Sequence, residues 1–153
     1  MAKIKEICLW LKKNGLLSAG VIIPSVLAIL SHFIAAYPLN GDGTGRLYNT
    51  APYVDIITHF LGAYAISKIA EKLYKPLSKK YRIINRMSED KFAIGTTLAL
   101  GSLNEIGERI ISTLPGMHVI GETLENSIRD MFVDAIGTLA QRYIRHKKND
   151  HRI

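Results

Sequence analysis

The sequence predicts an all-α fold: an integral membrane four-helix bundle preceded by a short amphipathic helix at the membrane interface. Three observations predict it. They are one long apolar stretch, three further helical segments of similar length, and an alternation of basic residues in the connections between them. With 153 residues the chain is long enough for one domain, so residues 1–153 are treated as a single membrane domain.

The helical segments follow one another along the whole chain. The opening KIKEICLWLKK has apolar residues at helical spacing among lysines, which is typical of a short interfacial helix. The apolar stretch LLSAGVIIPSVLAILSHFIAAYP, with His32 as its only ionisable group, is long enough to span a hydrocarbon core of ~30 Å. The four predicted spans are residues 16–38, 53–74, 92–111 and 128–144.

The basic residues predict which side of the membrane each connection faces. The chain before the first span has four Lys and Arg residues, the three connections have one, six and none, and the C-terminal part from Arg142 onward has five. The connections are residues 39–52, 75–91 and 112–127. This alternation follows the positive-inside rule for four spans with both termini in the cytoplasm. We therefore expect a multi-pass protein of the cytoplasmic membrane, with membrane lipids as partners.

Polar residues inside the predicted spans share one depth. Because the spans alternate in direction, the outer parts of the spans contain His32, Asp55, His59, Asn104, Glu105, Glu108, Arg109, Arg129, Asp130 and Asp134. At ~1.5 Å per residue, His59, Glu105 and Asp134 lie about 9 Å below the outer boundary. Ionisable residues in membranes normally face the bundle interior or a water-filled cavity. We therefore expect one polar cavity that opens outward.

The composition of this layer predicts a bound cation. Two arginines cannot neutralise five carboxylates, so protons, a cation or water must supply the balance. Carboxylates and imidazole suit zinc, manganese, iron or magnesium, so we expect a divalent metal ion bound by His59, Glu105 and Asp134. The expected catalytic residues are Asp55, His59, Glu105, Asp130 and Asp134, and the expected ligand-binding residues are Asn104, Glu108, Arg109 and Arg129. Alternatively, the same residues form structural ion pairs, for example Arg109 with Asp55 or Arg129 with Glu108.

These residues also carry a resemblance to a known family. DIITHF, residues 55–60, resembles the aspartate-x-x-x-histidine-phenylalanine signature of VanZ-like membrane proteins and the related YjdF-like family. In that pattern an acidic helix follows, here SLNEIGE at residues 102–108, and then a last helix of the type DMFVDAIG, here residues 130–137. The resemblance spans residues 50–140 and leaves open which glutamate of SLNEIGE is the family's glutamate. It implies a link to glycopeptide resistance and transfers no mechanism.

Three function classes are compatible with these patterns. We expect a cavity that binds a cation and a lipid or polyprenyl-linked head group, as in a metal-dependent hydrolase or transferase, and leave open whether the protein is an enzyme. The alternatives are a cation or proton transporter, which could act as a homo-oligomer, and a structural or assembly factor. No nucleic-acid partner is expected, because the basic runs contain few aromatic residues and no binding motif.

Two further expectations concern the inner end of the second span and a glycine in the last span. Lys68, Glu71 and Lys72 lie at the inner end of the second span, where long side chains can extend to the interface, and they are assigned no chemical role. Gly137 lies three residues, about one turn, beyond Asp134 and is expected to let a neighbouring helix approach.

Overall fold

The computed structural model describes residues 2–36, 52–112 and 124–150. Within these ranges the fold consists of helices, and it contains no strand. The helices are α1 (Ala2–Lys13), α2 (Ala19–Ala36), α3 (Pro52–Lys80), α4 (Arg82–Asn85), α5 (Glu89–Ser112) and α6 (Leu124–Asp150). The all-α prediction is therefore confirmed. Almost all of the predicted connection 39–52 and most of 112–127 lie outside the described residues.

The turn between α1 and α2 depends on Gly15. The N–H of Leu16 donates to the carbonyl of Leu11 (2.9 Å), and the N–H of Gly15 donates to the carbonyl of Lys12 (3.0 Å). These two bonds form a Schellman motif, which requires a left-handed residue just after the helix. Gly15 has φ +71°, a conformation that glycine adopts without steric cost. For this reason α2 begins at Ala19 and not at the predicted start of the span.

Helical structure extends into the predicted connection 75–91. α3 continues through this region for several residues, and α4 follows it. The Tyr74 hydroxyl donates to the Met87 carbonyl (2.6 Å), and the Tyr74 ring lies 5.8 Å from the Phe92 ring. These contacts fold the connection back onto α3. Ser88 then caps α5, because its Oγ accepts a hydrogen bond from a backbone N–H of the first turn.

α3 lies at the centre of the fold. It packs against α2, α5 and α6, and α5 also packs against α6. α3 and α6 run parallel, whereas α5 runs antiparallel to both. The contacts that fix these directions are His59 with Asp134, Ser67 with Gln141, His59 with Glu105, Tyr74 with Phe92, and Arg142 with Glu89.

The interior of the described helices is made of small and polar side chains. Buried residues include Ala63, Ala65, Ala70, Ala93, Ser67, Thr97, Thr138 and Gln141. Large apolar side chains are exposed, among them Ile29, Phe33, Leu103, Phe132 and Leu139. A Cβ atom added at Gly137 would lie 2.6 Å from the Phe60 carbonyl oxygen, so the predicted close approach at Gly137 is confirmed.

A polar cluster joins α3, α5 and α6 at the end of the bundle away from His59. This Glu71 cluster consists of Ser67, Lys68, Glu71, Lys72, Glu89, Asp90, Gln141, Arg142 and Arg145. Glu71 accepts hydrogen bonds from Gln141 (2.8 Å) and Lys68 (3.0 Å). Arg142 is only 4% exposed and pairs with Glu89 and Asp90. Glu71 therefore links two helices and does not simply extend to a surface, as the sequence suggested.

The predicted membrane topology is not upheld. Among the described residues, no helix is both long enough and apolar enough to cross a membrane. The predicted multi-pass membrane protein, in the cytoplasmic membrane with cytoplasmic termini, is therefore wrong. Charged residues interrupt every 18-residue stretch of α3, α5 and α6. The expected outward opening of the cavity was derived from this topology, so it is no longer supported.

We predict that Gly137→Ala lowers the free energy of unfolding by about 1–3 kcal/mol, because the new methyl group would collide with backbone atoms of α3. Urea unfolding followed by circular dichroism measures this. Gly95→Ala on α5 is the matched control, since a Cβ atom there meets nothing within 4 Å. That control should be neutral or stabilising by up to about 1 kcal/mol. Equal effects of the two substitutions would contradict the close approach.

We also predict that Glu71 makes stability depend on acidic pH. Burial opposes its ionisation, but hydrogen bonds and charge from Lys68, with hydrogen bonds from Lys72 and Gln141, lower the pKa of Glu71 from 4.5 to about 2. Because the folded pKa is lower than the unfolded one, this stabilisation is complete above pH 4.5 and is lost as the pH falls toward 2. Glu71→Gln should therefore lower the free energy of unfolding at pH 6, and the difference from the natural chain should shrink between pH 4.5 and 2. A difference that stays constant with pH would contradict this role.

Candidate functional site

His59 on α3 lies among four carboxylates from three helices. Its Nδ1 atom is 3.2 Å from Asp134 Oδ1. Its Nε2 atom is 3.7 Å from Asp55 Oδ1, 3.9 Å from Glu105 Oε1 and 3.9 Å from Asp130 Oδ2. We call these five residues the His59 cluster. The structure thus brings together the five side chains that were predicted to be catalytic, and their roles stay predictions.

Helical spacing explains how each member of the cluster reaches the ring. Asp55 precedes His59 by one turn of α3, and Asp130 precedes Asp134 by one turn of α6, so each pair shares a helix face. Glu105 comes from the antiparallel helix α5. Glu105 and Asp134 are 6% exposed and Asp130 is 1% exposed. Carboxylates that are buried so close to one another require positive partners or hydrogen-bond donors nearby.

Arg129 and Asn126 supply part of that compensation. Arg129 Nη2 lies 2.5 Å from Asp55 Oδ2 and 3.0 Å from Asp130 Oδ1, so one guanidinium joins carboxylates of α3 and α6. Asn126 Nδ2 donates to the other Asp130 oxygen at 2.9 Å. Of the predicted arginine partners, Arg129 therefore pairs with Asp55 and Asp130.

Asp134 fixes the orientation of the imidazole. When Nδ1 is protonated it donates to Asp134 Oδ1, and this leaves Nε2 pointing toward the other three carboxylates. Gly101 on α5 makes room for Asp134, because an added Cβ atom would collide with Asp134 Oδ2. The position of His59 therefore depends on close packing of α5 against α6.

The carboxylates also change the proton affinity of the ring. Burial disfavours the imidazolium form, but the hydrogen bond to Asp134 and the charges of Asp130, Asp134 and Asp55 outweigh it and raise the pKa of His59 from 6.5 to about 9. At neutral pH the ring is therefore positively charged. It acts as a counter-ion for the carboxylates when no other cation is bound.

Among the described residues, the carboxylates of this site outnumber the basic side chains that contact them. Arg129 and a protonated His59 supply two positive charges against the four carboxylates of the cluster. Arg109, one turn beyond Glu105 on α5, is exposed, and counting it still leaves the carboxylates in excess.

Three residues have donor atoms close enough to share one metal ion. The ligand atoms of Asp55, His59 and Asp130 all lie within 4.8 Å of one another. Imidazole nitrogen and carboxylate oxygen together suit divalent zinc, manganese or iron. Of the ligands predicted from sequence, His59 belongs to this group, Glu105 lies beside it, and Asp134 is bonded to the opposite ring nitrogen.

The remaining predicted site residues lie near the His59 cluster or have side chains outside the described part of the chain. Asn104 and Arg109 are exposed on α5. The side chains of His32 and Glu108 lie outside the described residues, so their predicted roles stay predictions.

A cavity of about 620 Å³ opens beside the cluster, between α2, α3 and α5. His59, Asn104 and Asp134 contribute polar atoms to its wall. Most of the remaining wall is apolar or lacks a large side chain, and it includes Ala28, Ile29, Phe33, Gly62, Ile66, Ile69 and Leu100. The acidic cluster thus borders a largely apolar cavity.

Sequence reasoning missed the Glu71 cluster, although a signal for it exists. Ser67 lies eight residues after His59, and Gln141 lies seven residues after Asp134. At helical periodicity these spacings continue the polar faces of α3 and α6 by two turns. The Ser67 hydroxyl does meet the Gln141 side chain, at 2.9 Å.

Comparison with known proteins adds no relative to this description. No protein-family model matches the chain, and neither a curated protein nor a solved structure matches it significantly. The resemblance to VanZ-like and YjdF-like proteins therefore rests on the motifs in the chain alone.

Proposed function

We propose that this protein binds a divalent cation at Asp55, His59 and Asp130, and that the cation holds the anionic head group of a lipid or polyprenyl-linked ligand. One observation carries the proposal. His59 Nε2 faces the carboxylates of Asp55 and Asp130, while Nδ1 is bonded to Asp134. A metal-binding histidine usually donates its second ring N–H to a carboxylate or carbonyl in this way.

The donor set leaves room for chemistry at the cation. One imidazole and two carboxylates supply three ligands, so at least one coordination position is available to water or an anionic group. A cation that binds Nε2 displaces the proton there, and its own charge then offsets the surplus of carboxylates. A cation in such a position can polarise a phosphate or activate water, which supports the hydrolase or transferase form of the proposal.

We further propose a relationship to the VanZ-like and YjdF-like families. The motif segments DIITHF and DMFVDAIG contain four members of the His59 cluster, and Glu105 lies in the third segment, SLNEIGE. The resemblance thus falls on the members of the His59 cluster. It supports treating them as one site.

A structural role is the second candidate, and the position of Arg129 favours it. Its guanidinium already bridges Asp55 and Asp130, two of the three proposed cation ligands. In that case the cluster would hold α3 and α6 together without a ligand. The two candidates differ in whether the natural chain binds a cation and whether removal of a cluster carboxylate weakens that binding.

We predict that the natural chain binds one Mn²⁺ or Zn²⁺, and that Asp130→Asn weakens binding at least about tenfold, because it removes a charged ligand. Asp134→Asn should weaken it by about 10–100-fold through loss of the bond that orients His59. Isothermal titration calorimetry of the whole chain measures both affinities. Circular dichroism of each variant verifies that the helices remain formed.

Glu71→Gln is the matched control, since it removes a buried carboxylate from the other polar cluster. It should leave the cation affinity unchanged. A natural chain that binds no divalent cation would reject the proposal. The structural candidate would be favoured if Asp130→Asn lowers the free energy of unfolding and the natural chain shows no cation binding.

A further inference from the structure

We infer that the cavity between α2, α3 and α5 binds the single apolar chain of a phosphate-bearing amphiphile, whose phosphate is held by the cation at the His59 cluster. This inference rests on the proposed cation site and adds the nature of the ligand's other end. It depends on three features of the cavity: its apolar wall, its length along α3 and the position of its polar end.

The wall of the cavity suits an alkyl chain. Ile29 and Phe33 of α2, Ile66 and Ile69 of α3 and Leu100 of α5 contribute large apolar side chains to the lining. The volume of about 620 Å³ falls within the range of roughly 300–1,000 Å³ for small-ligand sites. Water in such a space would find few hydrogen-bond partners, whereas an apolar chain would bury its surface there.

The cavity is elongated and has one polar end. Its α3 wall extends from Thr58 to Ile69, which corresponds to roughly 16 Å along the helix axis. His59, Asn104 and Asp134 contribute polar atoms at the end near Thr58. Toward Ile66 and Ile69 the wall is apolar apart from Ser25, whose hydroxyl is bonded to the Val21 carbonyl. A ligand that fills this space therefore needs one polar and one apolar end.

The charge at the polar end selects the class of head group. The carboxylates would repel a bare anion, but a divalent cation between His59, Asp55 and Asp130 would attract phosphate. Without the cation, the same carboxylates would favour an amine. A comparison of the affinities for phosphate and amine head groups, with and without the cation, therefore shows whether the cation takes part in ligand binding.

Gly62 offers a way to fill the cavity without disturbing the cluster. It lines the cavity on α3, and a Cβ atom added there meets nothing within 4 Å. A leucine at this position would extend into the space proposed for the chain. Gly95 on α5 has equally open surroundings and does not line the cavity, so Gly95→Leu is the matched control.

The test is calorimetric titration of the whole chain with dodecyl phosphate, inorganic phosphate and dodecylamine, each below its micelle concentration and with Mn²⁺ present or absent. With Mn²⁺, dodecyl phosphate should bind at least about tenfold more tightly than inorganic phosphate, as expected when a chain is buried. Gly62→Leu should weaken dodecyl phosphate at least about tenfold and leave Mn²⁺ affinity unchanged. Gly95→Leu should change neither.

Each contrary result has a definite meaning. Mn²⁺ binding with equal affinities for dodecyl phosphate and inorganic phosphate would overturn this inference and leave the cation site standing. The same holds if Gly62→Leu binds dodecyl phosphate as well as the natural chain does. With Mn²⁺ present, tighter binding of dodecylamine than of dodecyl phosphate would overturn the phosphate assignment. Absence of Mn²⁺ binding would overturn both the inference and the proposed function.

Discussion

The arrangement of the three longest helices depends on the contact between His59 and the carboxylates around it. The ring meets carboxylates from α3, α5 and α6, so one side chain joins the central helix to two of its neighbours. Without a positive group in this position, four carboxylates would face one another in a largely buried space, and their repulsion would be strong at low dielectric. A proton on His59 relieves this repulsion, and a bound cation would do the same.

Close backbone approach is what makes that contact possible. At Gly137 the backbone of α6 lies against the Phe60 carbonyl of α3, and at Gly101 the backbone of α5 leaves space for Asp134. A larger residue at either position would move α6 away from its neighbours and lengthen the bond between His59 and Asp134. The interior of small and polar residues thus serves one purpose, because it lets short carboxylate side chains reach a common point.

The sequence predicted the composition of the site better than its geometry. Spacing of four residues places Asp55 with His59, and Asp130 with Asp134, on shared faces, because this follows from helical periodicity alone. Which nitrogen of His59 meets which carboxylate depends on helix rotation and register, which periodicity does not specify. The contacts between Glu71 and Gln141 join residues 70 positions apart, beyond the reach of local patterns. The membrane topology was wrong because alternation of charge describes the connections and does not measure the length or composition of each helix.

The two polar clusters differ in a way that separates a structural role from a binding role. In the Glu71 cluster, Lys68, Lys72, Arg142 and Arg145 outnumber the three carboxylates, and Arg142 is almost fully buried among them. That cluster needs no further cation. In the His59 cluster the carboxylates remain in excess after every described positive neighbour is counted, and two of its members line a cavity. Both clusters connect the same three helices, so helix association alone does not distinguish them, whereas the cavity beside the His59 cluster does.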